Sequence, residues 1–175
     1  MSHQTKEQII DFYKQRRIER PLCITFTTKQ KIQYRTPFGS ITETISKTEL
    51  RRTFRHFMNR LNQTYFGNSY RRFNKRLKVF NVEEYSGDER LHLHTILQIP
   101  NNVSLSDFKN KVWELWFLKS KWGYYEVRFE EPKEDYQYGN QSKEVGWLNY
   151  SIKKIPKEET FITKSSSVDW ENTYI

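Results

Sequence analysis

Four residues of this chain have the types and spacing to do chemistry together: His92 and His94, one residue apart, and Tyr150 three residues before Lys153. His92-Leu93-His94 falls in Leu91–Ile99, an apolar run that reads as a strand. Side chains alternate across a strand, so both imidazoles share one face. Two imidazoles that close can bind one divalent metal ion. A carboxylate on the partner strand would complete the site, and Glu83 and Glu84 both sit there. The competing reading is a pair of solvated histidines, since His-x-His is short and recurs by chance. Yet the chain has four histidines in all, and His3 and His56 lie elsewhere.

Tyr150 belongs to a segment, about 143–155, that reads as the last helix. Val145, Leu148, Ile152 and Ile155 form its apolar stripe. With 3.6 residues per turn, Tyr150 lies about half a turn off that stripe. Lys153, Lys154 and Lys157 stand on its side, where ammonium groups favour a phenolate or a nearby phosphate. An exposed tyrosine on a basic helix is the plainer alternative. Tyr136 and Tyr138, on the preceding loop, are rivals without an ordered helix or adjacent lysines. Together the two groups describe one reaction. A metal held by two histidines and a carboxylate polarises a phosphate. A tyrosine oxygen then attacks phosphorus and holds the product covalently, which permits later rejoining.

These groups need a frame to position them. Residues 6–19 read as a short helix ended by Pro21, and Leu22–Thr28 reads as a strand. Residues 29–45, with Pro37 and Gly39, read as an extended loop or ribbon. Ser46-Lys-Thr-Glu49 is a capping-box pattern. It is followed by Leu50, Phe54, Phe57, Met58, Leu61 and Tyr65 on one helical face, ended near Gly67. The basic run Tyr70–Lys78, with two aromatics among its cations, reads as a solvated loop or a phosphate-contacting edge. Val79–Tyr85 and Leu91–Ile99 form a hairpin around Ser86-Gly87-Asp88. Ser104 caps a second helix with Phe108, Val112, Leu115 and Trp116 inward and Gly123 as its stop. Tyr124–Glu131 alternates as a strand with Tyr125, Val127 and Phe129 on its buried face. A polar loop, 132–142, precedes the last helix. The order β, α, β-hairpin, α, β, α predicts an α+β fold of the ferredoxin-like class, an antiparallel sheet flanked by helices. Residues 1–157 form one domain in this reading, and 158–175 a loosely held tail.

Composition agrees with a nucleic-acid partner. The 175 residues carry 30 Lys+Arg against 21 Asp+Glu, a net charge of +9, with 12 Phe, 11 Tyr and 5 Trp. Cations meet phosphates and rings stack on unpaired bases. The single Cys23 excludes an internal disulfide and a cysteine-based zinc site. With no apolar signal region or membrane-length run, the expectation is an intracellular protein: cytoplasmic, or in the host nucleus if from a eukaryotic virus.

In this order the motifs resemble the HUH endonucleases, and within them the rolling-circle replication initiators (Rep proteins) of small single-stranded DNA viruses and plasmids. They are Ile24-Thr-Phe-Thr27, His92-Leu93-His94 and Tyr150-Ser-Ile-Lys153, and the likeness covers roughly residues 20–157. The resemblance implies a five-stranded antiparallel sheet, a Mg²⁺ or Mn²⁺ site, and a single tyrosine nucleophile. It also implies nicking of single-stranded DNA at an origin stem-loop. It assigns His92 and His94 as metal ligands and Tyr150 as nucleophile, with Lys153 on phosphate or on the attacking or leaving oxygen. For the third ligand Glu84 fits the usual offset. Glu83 faces the other side, and a bulge would exchange the two. No helicase motif is present in the chain. The helicase is therefore either host-recruited or carried by a longer Rep of which this is the nuclease domain. Single-tyrosine transposases share the three motifs, and a non-catalytic RNA-binding module shares the sheet topology.

Overall fold

Every residue from Leu22 to Thr28 is buried, the mark of a central strand covered on both faces. The computed structural model describes residues 6–86, 91–130, 143–153 and 164–175. Helix α1 (Lys6–Gln15) leads into β1 (Pro21–Thr28). A two-stranded ribbon, β2 (Lys31–Thr36) and β3 (Gly39–Thr44), stands apart from the main sheet. Then come α2 (Lys47–Phe66), the short α3 (Asn68–Arg72), and the paired strands β4 (Val79–Ser86) and β5 (His92–Gln98). Helix α4 (Leu105–Trp113) continues into a π-helical turn, Glu114–Leu118, followed by β6 (Gly123–Glu130), α5 (Lys143–Ser151) and β7 (Lys164–Val168).

The sheet has five strands in the order β6-β1-β5-β4-β7, every pair antiparallel. The first four strands and the two helical crossovers, through α2 and through α4, make the expected ferredoxin-like α+β arrangement. One face carries Leu22, Ile24, Phe26, Leu93 and Leu97. It packs against Leu50, Phe54, Phe57 and Leu61 of α2 and Phe108 and Val112 of α4. Each such side chain contributes roughly 2 kcal/mol by leaving water. The opposite face carries Cys23, Phe80, Val82 and Ile96 under Ile9 and Tyr13 of α1 and Val145, Leu148 and Ile152 of α5.

Local signals explain most of the elements. Ser46 caps α2 by accepting from the Glu49 N–H at 3.1 Å. The Glu49 carboxylate accepts from Arg52, so the capping box is half made. Gly67 ends α2 at φ 54°, a left-handed backbone that glycine adopts at least cost.

Several expectations need correction. The second helix ends at Leu118, five residues before its expected stop. Gly123 opens β6 instead, and a Cβ there would lie 1.9 Å from the Trp116 carbonyl oxygen, so it serves a close backbone approach. Tyr125, expected on the buried face of its strand, is exposed because β6 is a sheet edge. The loosely held tail is overturned from Lys164 onward. Residues 164–168 pair with β4, Val168 and Asp169 are buried, and Tyr174 bridges backbone to backbone with Val79. The chain carries no sequence signal for this strand beyond Ser-Ser-Ser-Val, because its hydrogen bonds are backbone ones. Gly87 and Asp88 of the hairpin turn, the loop with Tyr136 and Tyr138, and Lys154, Ile155, Lys157 and His3 lie outside the described residues. Among the described residues no helix is long and apolar enough to cross a membrane.

Candidate active site

The β4–β5 pairing is continuous, with Glu84 opposite His92 and Val82 opposite His94. Opposed residues of an antiparallel pair point to the same side. Glu84, His92 and His94 therefore share the α1/α5 face, and the register leaves no bulge to exchange Glu84 with Glu83. Glu84 Oε2 lies 2.6 Å from His94 Nε2, both side chains largely buried. An ionised carboxylate only accepts, so Nε2 carries the proton and donates it to Glu84. Nδ1 then accepts from the hydroxyl of Thr25, at 3.2 Å on the neighbouring strand and directly opposite in register. His94 is thus fixed at both ring nitrogens. His92 is half-buried one place nearer the turn, opposite Thr27 on β1.

Glu83 serves the other face. It is buried, and its carboxylate takes a bidentate pair of hydrogen bonds from Arg51 of α2, at 2.5 and 3.1 Å. The pair holds the Arg51 guanidinium above its ordinary range, chiefly through the Glu83 hydrogen bond. Asp169, on the segment after β7, stands 3.9 Å from the same guanidinium.

Helix α5 brings Tyr150 to the histidines. Glu144, buried at its first turn, accepts from Arg17 at 2.5 Å. Trp147 donates to Glu130 at the end of β6 at 2.8 Å and stands edge-on to His94, 5.6 Å between ring centres. At the far end Lys6 of α1 donates to the Lys153 carbonyl at 2.6 Å. Anchored so, the helix buries Val145, Leu148 and Ile152 and turns Tyr150 outward, 52% exposed, as its offset from the stripe predicts. The Tyr150 ring is edge-on to His94 at 6.4 Å, and the Lys153 ammonium lies 3.5 Å from the centre of that ring. Arg128 approaches from β6, opposite Thr25 in register. Its guanidinium is raised above its ordinary range, first by the Glu126 hydrogen bond and in smaller measure by Tyr150.

The geometry thus brings together Glu84, His94, Tyr150 and Lys153, with His92 on the same face. Thr25, Trp147 and Arg128 also belong to the site and were not foreseen in these roles. Strand alternation is the signal that could have found Thr25 and Arg128, since it puts them in step with His94. Among the described residues no group of three or more His, Cys, Asp or Glu side chains stands at metal-holding distances. The donor set still suits a hard cation: an imidazole and a carboxylate already converge on one shared proton, with a second imidazole on the same face.

A family model described as Replication-associated protein, of the ORF2 type, matches residues 22–146. The chain belongs to this family, a rolling-circle Rep-type domain. The matched residues of the replication-associated family run from β1 into α5 and include Glu84, His92 and His94. Tyr150 and Lys153 lie just beyond them, so their assignment rests on geometry and on the motif. Comparison with curated proteins and with solved structures found no match.

Proposed function

We propose that this replication-associated protein is a sequence-specific single-stranded DNA nickase that initiates rolling-circle replication through Tyr150. Support comes above all from one observation: the exposed Tyr150 ring stands edge-on to His94, the imidazole that Glu84 holds. In the proposed step the Tyr150 oxygen bonds to phosphorus as the bond from phosphorus to the 3′ oxygen breaks. The phenolic proton leaves to solvent and the 3′ oxygen takes up one proton. The products are a 5′-phosphotyrosine and a free 3′ hydroxyl. Reversal by another 3′ hydroxyl rejoins the strand, because the phosphodiester energy is kept in the tyrosyl ester.

Lys153 places positive charge beside the attacking oxygen and the phosphate, and Arg128 adds a second cation from the sheet edge. Glu84, His92 and His94 would hold Mg²⁺ or Mn²⁺, which when bound supplies polarisation of the scissile phosphate. The Thr25 contact orients His94 for that duty by fixing its ring and tautomer. The Trp147–Glu130 bond keeps α5, and with it Tyr150, at the distance attack requires. The substrate is unpaired DNA, in keeping with a basic, aromatic-rich chain. An origin stem-loop would present such a strand, and a helicase would act alongside.

The test is a covalent adduct. The protein is incubated with Mn²⁺ and single-stranded DNA from the origin of its own replicon, then run on a denaturing gel. Wild type is expected to form a protein–DNA adduct, Tyr150→Phe none, and EDTA to suppress it. An adduct with Tyr150→Phe would mean another nucleophile. His92→Ala is expected to lower cleavage far more than DNA binding, which rests mainly on phosphate contacts.

A further inference from the structure

On the far side of the sheet from Tyr150, the outer surface of α2, the α3 segment and the π-helical turn enclose an open groove of about 730 Å³. Arg60, Arg71, Arg76 and Lys119 line it, and no carboxylate does. These cations come from three separate stretches of chain, so the fold gathers them. None of the four forms an ion pair among the described residues. The nearest acidic influence is Glu114. Its carboxyl is held below the usual range first by the Lys111 hydrogen bond, with Lys119 adding to it. Beyond Tyr70 and Arg76 the groove continues toward Glu171, but that carboxylate is bonded to Arg55. Four like charges around one concavity repel one another. A polyanion laid along it would relieve that repulsion and release its own counterions.

The lining also discriminates between kinds of polyanion. Unpaired nucleic acid is held by cations together with open aromatic faces on which bases stack. Tyr70 supplies the aromatic ring among the groove's lining residues, and the Arg76 guanidinium covers it at 5.1 Å. Its hydroxyl is engaged with Asn59. A surface rich in phosphate partners and poor in stacking faces fits a duplex, whose bases are turned inward.

We propose that this groove binds the phosphate backbone of double-stranded DNA, holding a duplex arm while the unpaired strand meets the opposite face of the sheet. The inference rests on the replication-protein assignment but not on chemistry at Tyr150. The basic run Tyr70–Lys78 then acts as the phosphate-contacting edge that its interleaved cations suggest.

The test is equilibrium binding without divalent metal, so the result is independent of cleavage. A short generic DNA duplex and the unpaired strand of the same length are titrated by fluorescence anisotropy over a range of salt. Arg60→Glu combined with Arg71→Glu is expected to shrink the duplex slope of log K against log salt by about two. The unpaired strand should lose less than half as much. Arg60→Gln combined with Arg71→Gln removes the same charge without adding its opposite. It gives the same comparison if the glutamate pair fails to fold by circular dichroism. An unchanged duplex slope would overturn the proposal. So would an equal or larger loss for the unpaired strand, which would assign the groove to single-stranded DNA.

Discussion

Glu83 and Glu84 are adjacent, chemically identical and turned to opposite sides of the sheet, so their substitutions should separate stability from activity. Glu83 is almost fully buried beneath Arg51, whose side chain is one-third exposed. Glu83→Gln leaves that guanidinium without its charged partner. The expected cost is about 2 kcal/mol, below the range for a pair buried at both ends. Glu84→Gln keeps an amide oxygen beside His94 but removes the charge a cation needs. Its expected stability change is under about 1 kcal/mol, with a loss of Mn²⁺-dependent adduct of roughly tenfold or more. Urea unfolding and the denaturing-gel assay, run on both variants, decide the matter. Loss of adduct in Glu83→Gln at unchanged stability would reverse the two roles. Strand alternation already put Glu84 with the histidines in the sequence. Only the unbroken register between Glu84 and His92 removes the bulge that would have exchanged the glutamates.

Elements whose cause is local were legible, and those whose cause is distant were not. Ser46 and Ser104 cap helices because their hydroxyls reach N–H groups three residues on, a relation visible in the chain itself. The apolar stripe of α5 likewise foretold that Tyr150 faces outward. The π-helical turn at Glu114–Leu118 and the task of Gly123 depend on two backbones meeting, which periodicity does not encode. Trp116 there donates its indole N–H to the Thr27 carbonyl at 2.9 Å and packs on Phe26. The turn is therefore pinned to β1 just where the β1–β6 register shifts. Gly123→Ala would drive a methyl group into the Trp116 carbonyl, a backbone atom that cannot swing aside. The expected loss is about 3 kcal/mol, or a fall in melting temperature of roughly 10 °C for a chain of this size. A melt by circular dichroism measures it. A fall of less than about 2 °C would show that the π-helical turn is free to move.

At the scale of the whole molecule the sheet separates two jobs, with the candidate nicking residues under α1 and α5 and the cationic groove behind α2. Both depend on β4, which carries Glu84 on one face and Glu83 on the other. Strand β4 would be a sheet edge but for β7. The final segment secures it by more than strand pairing. Asp169 accepts from Asn81 of β4 at 3.3 Å, and the Thr173 hydroxyl accepts from the Asn81 N–H at 3.2 Å. Asn172 reaches the Arg51 carbonyl, and Glu171 and Asn172 together take Arg55 of α2. Removing residues 164–175 would uncover the backbone donors and acceptors of β4 and the apolar surface under Val168. It would also strip Asp169 from the Arg51–Glu83 pair. Unpaired strand edges associate with one another, so the truncated protein is expected to self-associate as well as to lose several kcal/mol. Size-exclusion chromatography with light scattering would detect the first effect and thermal melting the second. A monomer melting within about 2 °C of the full chain, with its Mn²⁺-dependent adduct intact, would show instead that β4 keeps Glu84 in place without its outer neighbour.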